Sequence, residues 1–326
     1  MKAAIITEYG RTDVLHVADI EMPTLAEDQI LVQVKAASIN PRDWLLMRGL
    51  YPFRSLAKPF PITLGSDMSG TIVKVGASVT GLKQGDDVFG MQPIGGKFGA
   101  FAEYISIKAT AVALKPAEIS HKQAAAMPCA GMTSFQAIRD LAKLKPEQTI
   151  LINGASGGVG SYAIQFAKAV KAKVVAVCGP TNAALCLDLG ADETINYKEE
   201  NFENQQDTFD VVYDVIGRSS LSKSRAALKK GGCYISTIPA PMVAASVALS
   251  KLTALNPLGK RLKGHMILVK PDGRDLASMA DMMKKGTVRS LIDSDYALEN
   301  ISEAFEKSQS WRTRGKLLIT MPTSSL

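Results

Sequence analysis

The 326-residue sequence predicts a two-domain α/β protein, a partly closed β-barrel joined to a doubly wound parallel sheet. Three observations predict it. Residues 1 to about 120 alternate short β-branched runs with Gly, Pro and Asp turns. From about residue 123 the hydrophobic period switches between helix and strand in the manner of βαβ units. A glycine-rich turn, Gly154-Ala155-Ser156-Gly157-Gly158-Val159-Gly160, then joins an apolar strand to a helix. The length agrees, since a chain above ~250–300 residues normally splits into two cores.

In chain order, the barrel strands are AAIIT, QILVQVKAA, GTIVKVG, DVFGM and FAEYISI. A helix is expected over HKQAAAMPCAGMTSFQAIRDLA, then strand TILIN, the glycine turn, helix VGSYAIQFAKAV and strand KVVAV. The alternation continues as helix NAALCLDLG, strands DETIN and FDVVYDV, helix LSKSRAALKKG, and strands CYISTI and HMILV. TILIN, KVVAV and DVVYDV are nearly continuous apolar runs, as strands covered on both faces must be. The last segment, DLASMADMMKKG through GKLLI, returns to the first domain as helix and strand. The expected division is thus residues 1–122 with 268–326 around an inserted 123–267.

Apolar residues are 46% and charged residues 21%, which argues against disorder and against a fibrous or repeat architecture. The run APMVAASVALSKLTALNP is broken by Lys251 and falls short of the ~20 residues of a membrane span. The N-terminus lacks the apolar stretch of a secretory signal, so a cytoplasmic location is expected. Net charge is +7, but it is scattered and no nucleic-acid motif accompanies it, so nucleic acid is not an expected partner. The four cysteines show no C-x-x-C spacing and read as reduced core thiols.

The turn fits two chemistries. Gly154-Ala155-Ser156-Gly157-Gly158 matches the G-x-S-x-G elbow of a hydrolase serine. Gly154-x-x-Gly157-x-x-Gly160 equally matches a dinucleotide cradle, in which Gly157 lets the backbone approach a pyrophosphate and Gly160 lets the helix lie close to the sheet. Gly160 has no task in an elbow, and the only histidine after Ser156 is His265, beside a strand. The cradle is the better reading, with Gly157 a candidate for positive φ. An NAD site places an acid about 20 residues on, at the end of the second strand. Here stand Cys178-Gly179-Pro180-Thr181-Asn182, with no carboxylate to repel a 2′-phosphate, so NADPH is expected over NADH. Plain turn chemistry accounts for Thr181 and Asn182 equally well.

The chain resembles the medium-chain dehydrogenase/reductase superfamily, in its zinc-independent quinone oxidoreductase and alkenal reductase branch. The resemblance rests on Ala36-Ala37-Ser38-Ile39-Asn40-Pro41-Arg42-Asp43, Gly65-Ser66-Asp67-Met68-Ser69-Gly70, Gly85-Asp86-Asp87-Val88, Gly99-Ala100-Phe101-Ala102-Glu103-Tyr104, Ala130-Gly131-Met132-Thr133-Ser134, the glycine turn and Leu189-Gly190-Ala191-Asp192. It implies a GroES-like barrel with a Rossmann domain, and NADPH lying between the two. Zinc-dependent members place a cysteine, a histidine and a third ligand where this chain has Asn40, Ser66 and Cys129. That set is too poor for zinc, so no metal is expected. Cys129 reads as a core thiol or a functional one.

By the same resemblance the nicotinamide lies near Asn40, Thr133, Ile216 and Ile238, and the turn residues Ser156, Gly157, Gly158 and Val159 meet the pyrophosphate. Tyr197 holds the 2′-phosphate with Thr181 and Asn182, although the lysine usual in that loop is replaced near Ala183 and Ala184. Lys316 either closes the cofactor site or is solvated. Tyr51 is a candidate for substrate contact or proton donation, packing on the barrel rim being the other reading. The implied activity is hydride transfer from NADPH to a quinone or to the C=C bond of an α,β-unsaturated carbonyl, by a homodimer joined near HMILV. The rival is a cofactor-binding structural or regulatory protein, RNA-contacting in some relatives, with little turnover.

Overall fold

The structure is a computed structural model that describes residues 1–52, 54, 60–93, 99–238 and 260–322. The chain divides into two compact units, Met1–Met132 with Lys270–Leu326, and the inserted Thr133–Val269.

The first unit opens with β1 (Lys2–Ile6), flanked by β2 (Leu15–Asp19) and the short β4 (Ile62–Thr63) in a three-stranded sheet. Between them β3 (Gln29–Ser38) alternates half-buried and buried residues, so one pleat face lines the core. Its last three residues are buried outright. β3 pairs antiparallel with β5 (Asp67–Val75) and β7 (Tyr104–Lys108), and the sheet continues through β6 (Asp87–Met91) to β8 (Val112–Leu114). Ile30, Val32, Val34, Ile72, Val88, Ile105 and Ile107 meet in its core, each contributing roughly 1.5–3 kcal/mol on burial.

Right after β3 the chain enters α1 (Pro41–Met47), where Pro41 supplies a pre-set φ and Asn40 with Asp43 forms a capping box. The helix expected over 121–142 is three pieces: α2 (His121–Ala125), α3 (Pro128–Gln136) and a π-helical turn at Ala137–Ala142. Pro128 has no N–H for the preceding turn, so the helix must restart there. α2 packs on β3, β5 and β6, which keeps residues beyond 122 with the first unit.

In the second unit follow β9 (Thr149–Asn153), α4 (Gly158–Ala169), β10 (Lys173–Cys178), α5 (Ala183–Asp188), β11 (Glu193–Asn196), β12 (Phe209–Asp214), β13 (Leu228–Ser236) and β14 (Lys263–Met266). All six strands are parallel, in the order β11-β10-β9-β12-β13-β14, the doubly wound arrangement the sequence predicts. The strand order reverses between β9 and β12, so the crevice outside their carboxyl ends is where such a sheet binds ligand.

The helix expected over 221–231 does not form. Lys223–Arg225 makes one 3₁₀ turn and β13 has begun by Leu228. The carbonyls that would close its turns are taken from elsewhere: Ala226 accepts from the Asp207 N–H at 3.0 Å, Ala227 from the Thr208 N–H at 2.9 Å, and Lys260 Nζ donates to the Arg225, Ala226 and Leu228 carbonyls. The apolar run after Pro239 lies outside the described residues, and no described helix is long and apolar enough to cross a membrane.

The chain then returns to the first unit through α6 (Gly273–Lys284), β15 (Ile292–Ala297), α7 (Ile301–Gln309) and β16 (Lys316–Thr320). β16 runs parallel to β15 and antiparallel to β3, which extends the large sheet. Gly315 makes the entry: its φ is +79°, and a Cβ there would stand 2.2 Å from the Leu291 carbonyl.

Candidate active site

In the first unit the end of β3 and the starts of β16, β5 and α3 converge on one buried carboxylate. Asp67 is 0% exposed. Its Oδ2 accepts from Ser38 Oγ at 3.0 Å and Asn40 Nδ2 at 2.9 Å, and its Oδ1 accepts from the Cys129 backbone N–H at 3.0 Å. That last bond caps the first turn of α3, where N–H groups lack partners within the helix. Lys316, 3% exposed, supplies the countercharge: its Nζ lies 3.5 Å from Asp67 Oδ2 and donates to Asn40 Oδ1 at 2.6 Å and the Ile39 carbonyl at 2.9 Å. Asn40 Nδ2 also reaches Ser66 Oγ at 3.3 Å.

The solvated reading of Lys316 is therefore overturned. The ammonium is buried because a buried carboxylate demands a cation, and its hydrogen bonds go to Ile39 and Asn40. Asn40 is likewise held on both ends of its amide. Nearby, Asp43 accepts the Asn40 N–H at 2.7 Å, and burial, against the pull of Arg42, raises its carboxyl to about 7. Tyr51 follows α1, half-buried, and desolvation pushes its phenol above its ordinary value, with Arg42 opposing. A phenol so placed stays protonated at neutral pH. Burial and the Asp67 charge push the Cys129 thiol up to about 12, which makes it a core thiol rather than a nucleophile.

In the second unit the other predicted residues gather along the carboxyl ends of the parallel strands. Gly154 is the turn glycine with positive φ, +89°, and a Cβ there would strike Ile216 Cγ2 at 2.5 Å. Gly157, expected to take that role, instead has φ −80° and caps α4. A Cβ on Gly157 would meet only the Gly154 carbonyl, at 3.5 Å, so the space above it is open. Gly160 is different: its Cβ would lie 2.3 Å from the Gly154 carbonyl and 2.6 Å from Ala155 Cα, which confirms its task of close packing. No side chain caps α4, so the N–H groups of Gly158 and Val159 face the opening of a helix dipole.

Ser156 Oγ accepts from Asn182 Nδ2 at 3.0 Å, joining the turn to the end of the second strand, and Asn182 Oδ1 is buried with no partner. Thr181 is exposed beside it, and Tyr197, 59% exposed, lays its ring over Gly179. Ile238 packs against Gly217 as Ile216 does against Gly154, at the ends of neighbouring strands. Thr133 is buried, and its carbonyl accepts from the Tyr213 hydroxyl at 3.4 Å. These are the features a dinucleotide needs: an open glycine cradle, an uncapped helix start and an orphaned acceptor. They fit NADPH.

Two features escaped sequence reasoning. Glu199 and Glu200 line a cavity of about 230 Å³ with Cys178, Gly179, Pro180 and Asn196, so carboxylates do stand near the second strand's end. Asp67 lay inside a quoted motif, yet nothing local marks it as a hub.

Two family models match the chain, "Alcohol dehydrogenase GroES-like domain" over residues 26–117 and "Zinc-binding dehydrogenase" over 189–319. The chain is 35% identical over 330 residues to the 2-methylene-furan-3-one reductase of Solanum lycopersicum, covering 98% of this chain and 79% of that protein. The chain belongs to the medium-chain dehydrogenase/reductase superfamily, in its quinone oxidoreductase branch. Two solved members have the same fold: the Coxiella burnetii quinone oxidoreductase, with TM-score 0.90 and 29% identity over 99% of both chains, and the Escherichia coli quinone oxidoreductase complexed with NADPH, with TM-score 0.84 and 28% identity over 98% of this chain and 100% of that one.

The name of the second family model implies zinc, and the residues of this superfamily member do not fit it. Asn40 Nδ2 donates to both Asp67 and Ser66, burial pushes the Cys129 thiol up, and an ammonium already sits 2.6 Å from Asn40 Oδ1. Among the described residues no group of three His, Cys, Asp or Glu side chains could hold a metal ion.

Proposed function

We propose that the chain is an NADPH-dependent reductase that delivers hydride to the C=C bond of α,β-unsaturated carbonyls or to quinones, without zinc. The observation that carries this reading is the open cradle above Gly157, at the point where strand order reverses. The tomato reductase and the NADPH complex of the Escherichia coli quinone oxidoreductase support the substrate class and the cofactor. Bound NADPH supplies the hydride. The protein's part is to bind, orient and stabilise charge. The N–H groups of Gly158 and Val159 receive the pyrophosphate, over the open space at Gly157. Thr181, Asn182 and Tyr197 hold the 2′-phosphate and its ribose, the free Asn182 Oδ1 accepting from a ribose hydroxyl. Thr133, Ile216 and Ile238 are assigned to the nicotinamide end, and Asn40 with Lys316 to keeping the first unit's cluster in register. Tyr51, protonated, donates a hydrogen bond to the oxyanion that develops on the substrate.

Turnover against a panel of enals, enones and quinones tests the reading. Reduction of at least one class with NADPH is expected. Bound NADPH with no turnover on any of them would overturn the activity and favour a structural or regulatory role. We further infer a homodimer joined by β14, which among the described residues is the outer strand of its sheet; light scattering that reports a monomer would overturn it.

A further inference from the structure

The second unit buries a charge of its own, held in a different way. Asp214 closes β12 and is 0% exposed. Its Oδ1 accepts from Asn153 Nδ2 and the Gly217 N–H, both at 3.0 Å, and its Oδ2 accepts from the Ser219 N–H at 2.7 Å and the Tyr234 hydroxyl at 3.0 Å. All four partners donate. Both oxygens must therefore accept, which makes the group a carboxylate, and where Asp67 has the Lys316 ammonium this charge has hydrogen-bond donors. Burial, with the Asp214 charge adding to it, holds the Tyr234 phenol above its ordinary value, so that hydroxyl keeps its proton to donate.

The donors come from three neighbouring strands and one turn. Asn153 is the last residue of β9, directly before Gly154, and Tyr234 lies in β13, on the other side of β12. Gly217 and Ser219 belong to the turn after β12. That turn meets the residues assigned to the cofactor: a Cβ on Gly154 would stand 2.5 Å from Ile216 Cγ2, and one on Gly217, whose φ is +66°, would stand 2.5 Å from Ile238 Cγ1. We propose that Asp214 is a positioning residue for the cofactor, its carboxylate fixing the turn 215–219 against the glycine turn and so holding the cradle in the shape that takes NADPH. The inference deepens the NADPH reading above and rests on it. An amide cannot replace the carboxylate. Asn153 and Tyr234 can turn round to accept, but the backbone N–H groups of Gly217 and Ser219 cannot, and they bond different oxygens. Asparagine at 214 would set its own NH2 against one of them in either orientation, and the turn would have to move.

The test compares Asp214→Asn with Tyr234→Phe in the whole protein, by thermal melting, by NADPH titration, and by hydrogen exchange at the Gly217 and Ser219 amides without cofactor. Tyr234→Phe removes a donor that lies in the strand and leaves both turn bonds in place, so it should lower Tm while NADPH affinity stays within about twofold. Asp214→Asn should speed exchange at one of the two amides, and weaken NADPH, each by about tenfold or more, as when a hydrogen bond to a charged group is lost. A purely structural role would instead make affinity follow Tm in both variants. NADPH affinity within about twofold of wild type in Asp214→Asn, or an equal loss in Tyr234→Phe, would overturn the proposal. So would an Asp214→Asn chain that cannot fold, since Asp214 would then serve the fold alone. Failure of the unaltered protein to bind NADPH would overturn the reading beneath it, and the amide exchange would still report whether the carboxylate holds the turn.

Discussion

Replacing Lys316 by methionine removes one positive charge from a place where three oxygens depend on it. The ammonium is 3% exposed and the Asp67 carboxylate 0%, so neither can recruit bulk water without opening the sheet. At 3.5 Å and an effective dielectric of ~20, their attraction is about 5 kcal/mol before desolvation. Removing one partner of such a pair costs about 3–5 kcal/mol, since an uncompensated charge stays behind. The Ile39 carbonyl and Asn40 Oδ1 lose their donor as well. Lys316→Met should therefore destabilise the first unit by about 3–5 kcal/mol. Adding Asp67→Asn, which removes the stranded charge, should recover about 1–2 kcal/mol. The assay is urea unfolding followed by tryptophan fluorescence. Both tryptophans, Trp44 and Trp311, lie in the first unit with rings 5.7 Å apart, so the signal reports that unit. A single-variant loss below about 1 kcal/mol, or a double variant no better than the single, would refute the argument.

The remaining expectations concern the glycine turn, a buried acid and the metal. Gly157→Ala meets open space and should fold normally yet bind NADPH at least ~10-fold more weakly, whereas Gly160→Ala collides with the Gly154 backbone and should lower Tm; the reverse pattern in thermal melts and titrations would be inconsistent with the cradle. Ser156→Ala removes one bond to Asn182 and should cost less than ~10-fold in kcat/KM, against several orders of magnitude for a nucleophile. Asp43, raised from 3.8 to about 7, lends stability that is complete below pH ~4 and lost as pH rises through 7, so Asp43→Asn should gain about 2.5 kcal/mol on wild type between pH 5 and 8. A difference flat across that range would show that the carboxyl titrates normally. Elemental analysis should find no stoichiometric zinc, and chelator should leave turnover intact; one zinc per chain would contradict the donor chemistry of Asn40, Ser66 and Cys129.

What could be read from the sequence was what short spacing encodes. The order of strand, glycine turn and helix places the cradle, and Gly160's packing task follows from its spacing alone. Which glycine takes positive φ does not, and the side chain that leaves no room for a Cβ on Gly154 belongs to Ile216, 62 residues away in sequence. The helix expected at 221–231 failed for a related reason: the Ala226 and Ala227 carbonyls accept from the N–H groups of Asp207 and Thr208, 19 residues upstream, and helix periodicity carries no sign of that competition. Asp67 and Lys316 were legible as separate motif residues but not as a pair, since their meeting depends on β16 returning to β3. Glu199 and Glu200 reach the end of β10 only through the pairing of β10 with β11.

The bond from Lys316 to Asn40 spans 276 residues of chain. At ~5–20 residues per second of synthesis, the Asp67 carboxylate waits roughly 12–50 s after it is made for its countercharge. Meanwhile the ribosome produces the whole inserted unit, which carries within itself every strand of its own sheet. The nascent protein thus acquires its nucleotide-binding half first and seals its other half last. A chain that stops anywhere before β16 leaves its first unit with an unmatched interior charge.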